Sequence, residues 1–313
     1  MINVSRESCG KSGNLKIKEF IETNNNFALC RIGLGELRWI DWWIKGSNDY
    51  FPVNKKCGGL YYNCEGHNNT NGVYTPNLLS RLQLNGIYGD RCELFINEYI
   101  KGISSADLQV FWYQYNKNTK AYDPMLFEEQ LNIFEKYSPN SIKIDIESIV
   151  PYFHTNFWSS ALKGKKVLVV YPFEKTINQQ FQHKDKIWTD EHFGKLPDFE
   201  LKTYKPVWVL GKNKPHNSWY ESFCFMRDEI SKIDFDIALL GCSHYGLPLV
   251  AHIKNDMKKS AIYMGGETQI LFGIKGRRWD SWPDATKFYN DYWTRSIDEI
   301  PDGANIMDGG SYW

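Results

Sequence analysis

The second half of the chain alternates short apolar runs with segments whose apolar residues recur at helical spacing. The apolar runs predict strands at 166–171, 199–204, 236–240 and 261–264, and helical patterns follow them to about 183, from 218, from 245 to about 257 and from about 267. A strand, a helix and a second strand in succession form the unit of parallel sheets, and its crossover is right-handed. The pattern therefore predicts an α/β fold with a Rossmann-like, mostly parallel sheet and flanking helices.

The helix after Ser218 has the clearest start signal. Ser218-Trp219-Tyr220-Glu221 matches a capping box, in which the serine and glutamate side chains each cap a backbone N–H. Beyond it, one face of the predicted helix carries Trp219, Phe223, Met226, Ile230 and Ile233. We expect this face to pack on the sheet.

The first half of the chain has a mixed pattern. Strands are predicted at 27–32 and 107–113, helices at 36–44, 76–86 and 89–101, and an Asn- and Gly-rich loop at 46–72. We expect 1–155 to form an N-terminal α/β region. Residues 156–313 are expected to form a Rossmann-like nucleotide-binding half, packed with the first region as one globular unit.

Composition narrows the class of protein. The 313 residues include 37 Lys and Arg and 37 Asp and Glu, so the chain lacks the basic excess of most nucleic-acid binders. No stretch approaches the roughly 20 apolar residues of a membrane span, and the first residues are polar, which predicts a cytoplasmic protein without a transmembrane segment. Aromatic residues form 16% of the chain, which suits stacking on sugar rings and leaves room for an oligomer interface.

Three loops follow predicted strands at the edge where open parallel sheets bind ligands: 171–174, 241–248 and 265–269. Glycines let the backbone approach a ligand closely, and hydroxyl and amide groups hydrogen-bond phosphate or ribose. The predicted nucleotide-binding residues are Gly33, Gly241, Ser243, Tyr245, Gly246, Gly265, Gly266, Thr268 and Gln269. The alternative is that the glycines only make tight turns.

Two further side chains in these loops are candidates for catalysis. His244 lies in the second loop, where a base or a hydroxyl contact is expected. Glu174 follows another strand and is a candidate base or sugar contact.

The familiar phosphate-binding motifs are absent. Gly241 and Gly246 have the spacing of a P-loop, but Leu247-Pro248 stands where Lys-Ser/Thr is required. The pair Gly33 and Gly35 lacks the third glycine of the dinucleotide fingerprint, because Arg38 occupies its position. An ordinary P-loop NTPase and a typical NAD enzyme are therefore disfavoured.

A strand followed by a glycine turn brings Arg31 and Glu36 to one edge of the predicted sheet. The arginine suits a diphosphate, and the glutamate suits a divalent cation or a sugar hydroxyl. The alternative is an Arg31–Glu36 salt bridge that fixes the turn. Arg277 lies in the basic-aromatic turn 275–279, which is expected either to close over an anionic ligand or to be a solvated surface turn.

The Arg31-x-Gly33-x-x-Glu36 element, together with DIALLGCSHYGLPLVAHIK at 236–254 and AIYMGGETQILFGIKGRRW at 261–279, resembles glycosyltransferases of the GT-D type. Within that family it is most similar to the polysaccharide-biosynthesis relatives of bacteria and large viruses. The resemblance extends from about residue 27 to the end of the chain and is clearest over 160–280.

The resemblance implies an enzyme that transfers a sugar from a nucleotide-sugar donor, commonly a UDP-sugar, to a glycan acceptor, with a divalent cation such as Mn²⁺ or Mg²⁺. Glu36 matches the glutamate of the family's Asp-x-Glu pair, whereas Leu34 occupies the aspartate position. Either another carboxylate joins Glu36, or Arg31, helix N-termini or Arg277 neutralise the leaving diphosphate. Two alternatives remain: a Rossmann enzyme with another cofactor (an S-adenosylmethionine methyltransferase or a dehydrogenase) and a non-catalytic glycan-binding protein.

Overall fold

The computed structural model describes residues 6–33, 36–37, 40–41, 44, 92–112, 115–116, 121–122, 124–188, 195–209, 214–302, 304 and 308–313. Within these ranges, seven parallel strands form one sheet: β1 (Ala28–Arg31), β2 (Leu108–Phe111), β5 (Ile142–Asp145), β6 (Lys166–Val170), β7 (Glu200–Tyr204), β8 (Ile237–Leu240) and β9 (Ser260–Tyr263). Their order is β5-β2-β1-β9-β8-β6-β7. A separate antiparallel pair consists of β3 (Tyr115–Asn116) and β4 (Ala121–Tyr122).

Helices cover both faces of the sheet. They are α1 (Arg6–Thr23), α2 (Cys92–Ser104), α3 (Pro124–Tyr137), α4 (Glu174–Phe181), α5 (Lys184–Ile187), α6 (Trp219–Ile230), α7 (Gly246–Asn255), α8 (Glu267–Leu271), α9 (Arg277–Asp280) and α10 (Pro283–Thr286). Helices α2, α3, α6 and α7 contribute to one hydrophobic core, and α1, α4 and α8 contribute to another. None of these described helices combines the length and apolar character needed to cross a bilayer.

The central strands are apolar along their whole length because both of their faces are buried. In β8, Ala238 and Leu240 join the core beneath α6 and α7, whereas Ile237 and Leu239 join the core on the opposite face. Continuous apolar runs are typical of parallel strands covered by helices on both sides. The predicted Rossmann-like fold with a parallel sheet and flanking helices is therefore confirmed.

The connections leave neighbouring strands toward opposite faces. Strand β8 is followed by α7 on one face, while β6 and β9 are followed by α4 and α8 on the other. After β1 the chain returns to the α7 side, where Leu37 and Ile40 are buried. Diverging connections open crevices at the carboxyl ends of parallel strands, and such crevices bind ligands in open α/β sheets. By this rule, crevices are expected on both sides of β9, at the carboxyl edge of the sheet.

Most predicted elements of the second half are present within one or two residues. The Ser218 hydroxyl accepts the backbone N–H of Glu221 at 3.1 Å, which is the first bond of the predicted capping box, whereas the Glu221 carboxylate accepts the N–H of Asn217 at 3.0 Å rather than that of Ser218. In the first half, β1, β2 and α2 match predicted elements, and positions 36, 37, 40, 41 and 44 are helical. The predicted loop at 46–72 and helix at 76–86 lie outside the described residues. Strands from both halves of the chain share the one sheet, since β1 pairs with β9.

Candidate functional site

Arg31 ends β1 and extends across the turn that follows β9. Its Nη1 donates to the carbonyl of Met264 at 3.2 Å, and its guanidinium lies 4.6 Å from the ring centroid of Trp112. Its Nε is buried with no hydrogen-bond partner, and no carboxylate of the described residues forms an ion pair with it. A guanidinium without a carboxylate partner at this edge of the sheet is suited to binding an anion.

Gly265 makes this crossing geometrically feasible. Its φ of 65° is left-handed, and a Cβ at this position would lie 1.8 Å from Arg31 Nη1. The neighbouring loops are equally close, because a Cβ on Gly241 would lie 2.4 Å from the Gly265 carbonyl and 2.5 Å from the Tyr171 ring. At both positions the space of a side chain is therefore occupied by protein atoms. This favours the alternative that these glycines permit tight turns rather than contact a ligand.

The other predicted glycines are also packed against protein atoms. A Cβ on Gly246 would lie 2.4 Å from the Tyr263 ring, and one on Gly266 would lie 2.7 Å from Tyr312. A Cβ on Gly33 would lie 2.1 Å from Oε2 of Glu36. The Glu36 carboxylate therefore folds back over the turn that follows β1.

Glu36 and Arg31 both act on the phenol of Tyr263. Burial raises the pKa of Tyr263 well above its ordinary value, the Glu36 charge raises it further, and Arg31 opposes the shift. Tyr99 is affected in the same directions. Arg31 and Glu36 nevertheless form no ion pair with each other, so the predicted salt bridge across the turn is not observed between these two described residues.

The described residues do not fit a cation held by protein side chains alone. They contain no group of three or more His, Cys, Asp or Glu side chains able to hold a metal. Glu36 supplies one carboxylate, and the Leu34 position lies outside the described residues.

Glu267 lies in the predicted loop 265–269 but is not among the predicted site residues. It begins α8, directly after Gly265 and Gly266, and its Oε2 is buried with no hydrogen-bond partner. Burial raises the pKa of Glu267 to about 7, although the positive charges of Arg31 and Arg278 oppose the shift. The available signal was an acidic residue immediately after a glycine turn at the carboxyl end of a strand.

The two arginines of the basic-aromatic turn have different contacts. Arg277, the predicted ligand contact, donates from Nη2 to the carbonyls of Gly309 at 2.8 Å and Gly310 at 3.1 Å. Arg278 places its guanidinium 4.3 Å from the ring centroid of Tyr312 and acts electrostatically on Glu267. Arg277 thus holds the segment at 308–310, and the turn contributes Arg278 to the site instead. We call Arg31, Glu36, Gly265, Glu267 and Arg278 the carboxyl-edge site.

Gln269 is a structural brace. Its Oε1 accepts the Tyr171 hydroxyl at 2.6 Å, and its Nε2 donates to the carbonyls of Ile274 at 3.2 Å and Tyr312 at 3.1 Å. Its amide is therefore engaged with three other parts of the protein. Its neighbour Thr268 is fully buried, with a hydroxyl that has no hydrogen-bond partner.

The turn after β8 divides between the crevice and the core. Ser243 is half-buried with a left-handed φ of 53°, and its carbonyl accepts the Tyr263 hydroxyl at 2.8 Å. His244 is buried, and its Nδ1 accepts the indole N–H of Trp219 at 2.9 Å. Tyr245 stacks in parallel on Trp219 with ring centroids 5.2 Å apart. Ser243 thus remains near the crevice, while His244 and Tyr245 pack against α6.

Glu174 lies toward the edge of the sheet. Its Oε1 accepts the hydroxyl of Thr203 at 3.1 Å, at the carboxyl end of β7. Glu299, rather than Glu174, caps the start of α4, since its carboxylate accepts the N–H groups of Lys175 at 3.0 Å and Thr176 at 2.9 Å. Strand β7 is three places from β9 in the sheet, so Glu174 is not brought together with Arg31 and Glu267.

A depression in the surface lies at the opposite, amino-terminal end of the strands. It has a volume of about 600 Å³ and is lined by the starts of β8 and β9 and by lysines that include Lys163, Lys165 and Lys259. Lys259 pairs with Asp234 at 3.7 Å, so part of this positive charge is already matched. Ligands of open parallel sheets bind at the carboxyl ends of the strands, and we therefore take the carboxyl-edge site as the candidate functional site.

Comparison of the chain with protein-family models, with curated proteins and with solved structures gives no match in any of the three.

Proposed function

We propose that the chain is a glycosyltransferase that transfers a sugar from a nucleotide-sugar donor, most simply a UDP-sugar, to a glycan acceptor. The observation that supports this proposal best is Arg31, a guanidinium with a buried unpartnered Nε at a crevice beside β9. Glycosyl transfer from such a donor releases a nucleoside diphosphate, and negative charge accumulates on it as the bond breaks. A fixed cation at that position stabilises the transition state.

In this proposal Arg31 and Arg278 bind the diphosphate. The guanidinium of Arg31 is oriented by the Met264 carbonyl and the Trp112 ring, so little rotamer freedom is lost when the ligand binds. Glu36 lies by the turn after β1, where it can accept hydrogen bonds from sugar hydroxyls.

The charge of the site favours this donor over S-adenosylmethionine. S-adenosylmethionine carries a sulfonium cation, which two nearby arginines would repel. A glycan-binding protein without turnover has no need of a desolvated guanidinium, because neutral sugars are recognised by stacking and by hydrogen bonds. The GT-D resemblance supports a role in surface polysaccharide or glycoprotein glycan synthesis, and we propose that the reaction takes place in the cytoplasm.

The test is a thermal-shift panel of UDP, GDP, CMP, NAD and S-adenosylmethionine, each with and without Mn²⁺. A ligand at 100 times its Kd stabilises the folded state by about 2.7 kcal/mol. We expect UDP or GDP to stabilise the protein, Arg31→Gln to lose that effect, and Arg227→Gln to retain it. Arg227 is a matched control because it pairs with Asp228 on α6. Absence of stabilisation by every nucleoside diphosphate, repeated by calorimetry, would overturn the proposal.

A further inference from the structure

Glu267 occupies the position in the fold where the two arginines of the carboxyl-edge site come closest to one turn. Arg31 fills the space in front of Gly265, and Tyr312, on which Arg278 stacks, fills the space in front of Gly266. Glu267 is the next residue. A carboxylate placed there is adjacent to the groups that bind the leaving diphosphate in the proposed function.

The surroundings of Glu267 are polar but incompletely hydrogen-bonded. Besides its own Oε2, the hydroxyls of Tyr152 and Tyr289 are buried without partners. Burial is the main cause that raises the pKa values of Tyr152 and Tyr289, and the negative charge of Glu267 raises both further. Buried polar groups in folded proteins are normally satisfied, so a group of unsatisfied ones around one carboxylate indicates a site where another molecule binds.

The charged and titratable groups around Glu267 come from several elements. Arg31 extends from β1, Arg278 from α9, and Tyr171 from the turn after β6; Tyr152 and Tyr289 complete the group. Burial outweighs the two positive charges and holds the pKa of Glu267 at about 7. A carboxylate with a pKa near the working pH is well matched to accepting a proton during a reaction.

We infer that Glu267 is the general base of the proposed transfer, which makes this inference dependent on the proposed function. Its carboxylate accepts the proton of the acceptor hydroxyl as the hydroxyl oxygen forms a bond to the anomeric carbon. The bond between that carbon and the diphosphate oxygen breaks, and its electron pair leaves with the diphosphate on Arg31 and Arg278. The proton lost by the acceptor is thus held by Glu267 at the end of the step.

The test compares the wild-type protein with Glu267→Gln, which retains the size and hydrogen-bonding capacity of the side chain but accepts no proton. UDP affinity is measured by calorimetry, and UDP release is measured with UDP-glucose, UDP-galactose and UDP-N-acetylglucosamine, with water as the acceptor. We expect Glu267→Gln to bind UDP at least as tightly as the wild-type protein, because a negative charge beside the diphosphate is removed, and UDP release to fall by about 100-fold or more, the typical contribution of a general base. The wild-type rate should rise with pH up to about 7 and then level off, following the Glu267 pKa, and the variant should lose this dependence.

A second measurement decides the question even where water is a poor acceptor. A bound diphosphate raises the pKa of a neighbouring carboxyl, so UDP binding should be accompanied by proton uptake near pH 7.5. Calorimetry in buffers of different ionisation enthalpy measures this uptake. We expect it in the wild-type protein and in the control Glu229→Gln, whose side chain pairs with Lys232 on the surface, but not in Glu267→Gln.

The outcomes separate the two proposals. Measurable UDP release at equal rates, or equal proton uptake, in wild type and Glu267→Gln overturns the role of Glu267 and leaves the transferase proposal intact. Failure of the wild-type protein to bind any nucleoside diphosphate overturns the transferase proposal and the inference that depends on it.

Discussion

Arg31 crosses Gly265 so closely that its Nη1 lies 1.8 Å from where a Cβ would be. The guanidinium that ends β1 thereby lies against the turn that follows β9, the strand with which β1 pairs. Arg31 can occupy this position only because residue 265 has no side chain.

Gly265→Ala should therefore disfavour the left-handed turn and displace the Arg31 guanidinium from its position against that turn. We expect a loss of about 3 kcal/mol or more in the free energy of unfolding, measured by urea denaturation, together with loss of UDP binding. Gly164→Ala is the matched control, because Gly164 has a φ of 75° but no atom within 4 Å of an added Cβ. That variant should lose only about 1 kcal/mol, the cost of the left-handed conformation. Equal losses in the two variants would contradict the close crossing.

Glu267 should make stability depend on pH. Its pKa is about 7 in the folded protein and 4.5 in a model peptide, so the folded state binds more protons between these values. The stabilisation is fully present below pH 4.5 and is lost as the pH rises to about 7, by about 3 kcal/mol in total. Urea denaturation of wild type and Glu267→Gln from pH 4.5 to 8 should show the difference between them growing in favour of the variant. A constant difference would contradict the raised pKa.

Tyr171→Phe tests the brace at Gln269. The change leaves the ring in place but removes the hydroxyl that donates to Gln269 Oε1 at 2.6 Å, so a buried acceptor loses its partner. We expect a loss of about 1 to 3 kcal/mol in the free energy of unfolding. Tyr137→Phe is the control, since Tyr137 is the half-buried last residue of α3 and packs at the margin of the core, and it should change stability by less than about 0.5 kcal/mol.

The two neighbouring arginines should separate binding from stability. Arg277→Gln removes the donors to the Gly309 and Gly310 carbonyls, so we expect mainly a lower Tm. Arg278→Gln removes a positive charge next to Glu267, so we expect UDP affinity to fall by about 10-fold or more with a smaller change in Tm. The reverse pattern would place Arg277 in the binding site.

Removal of divalent cations tests how the diphosphate is neutralised. Because Arg31 and Arg278 supply two positive charges and the described residues contain no three-ligand metal group, we expect UDP to bind within about 3-fold as tightly in EDTA as in Mn²⁺. A loss of affinity beyond about 10-fold in EDTA would instead indicate a cation shared between Glu36 and the phosphates.

The parts of the fold that the sequence predicts are those specified by local pattern. Strand β8 is an apolar run and α6 has a capping box, and both signals lie within a few residues of each other in the chain. The sequence does not predict helix α1, because this segment is polar at its start and contains Gly13, and glycine usually weakens a helix. In the structure a Cβ on Gly13 would lie 2.0 Å from Ser148 Oγ, so this glycine serves contact with a turn that is distant in sequence.

The same distinction holds for the site. The sequence indicates which residues follow each strand, and Arg31 and Gly265 are accordingly predicted. It does not show which way a side chain turns, and His244 is directed into the core by its hydrogen bond to Trp219. Glu267 acquires its character from Arg31 and Arg278, which approach it from other parts of the chain.

The place of β1 in the sheet has a consequence for biosynthesis. Strand β1 leaves the ribosome well before β9, with which it pairs on one side. Until then the nascent chain has unpaired edges on β1 and β8, and such edges invite association with other chains. The sheet closes only when the Arg31–Gly265 crossing forms, so nucleotide binding should be a property of chains whose synthesis has passed β9.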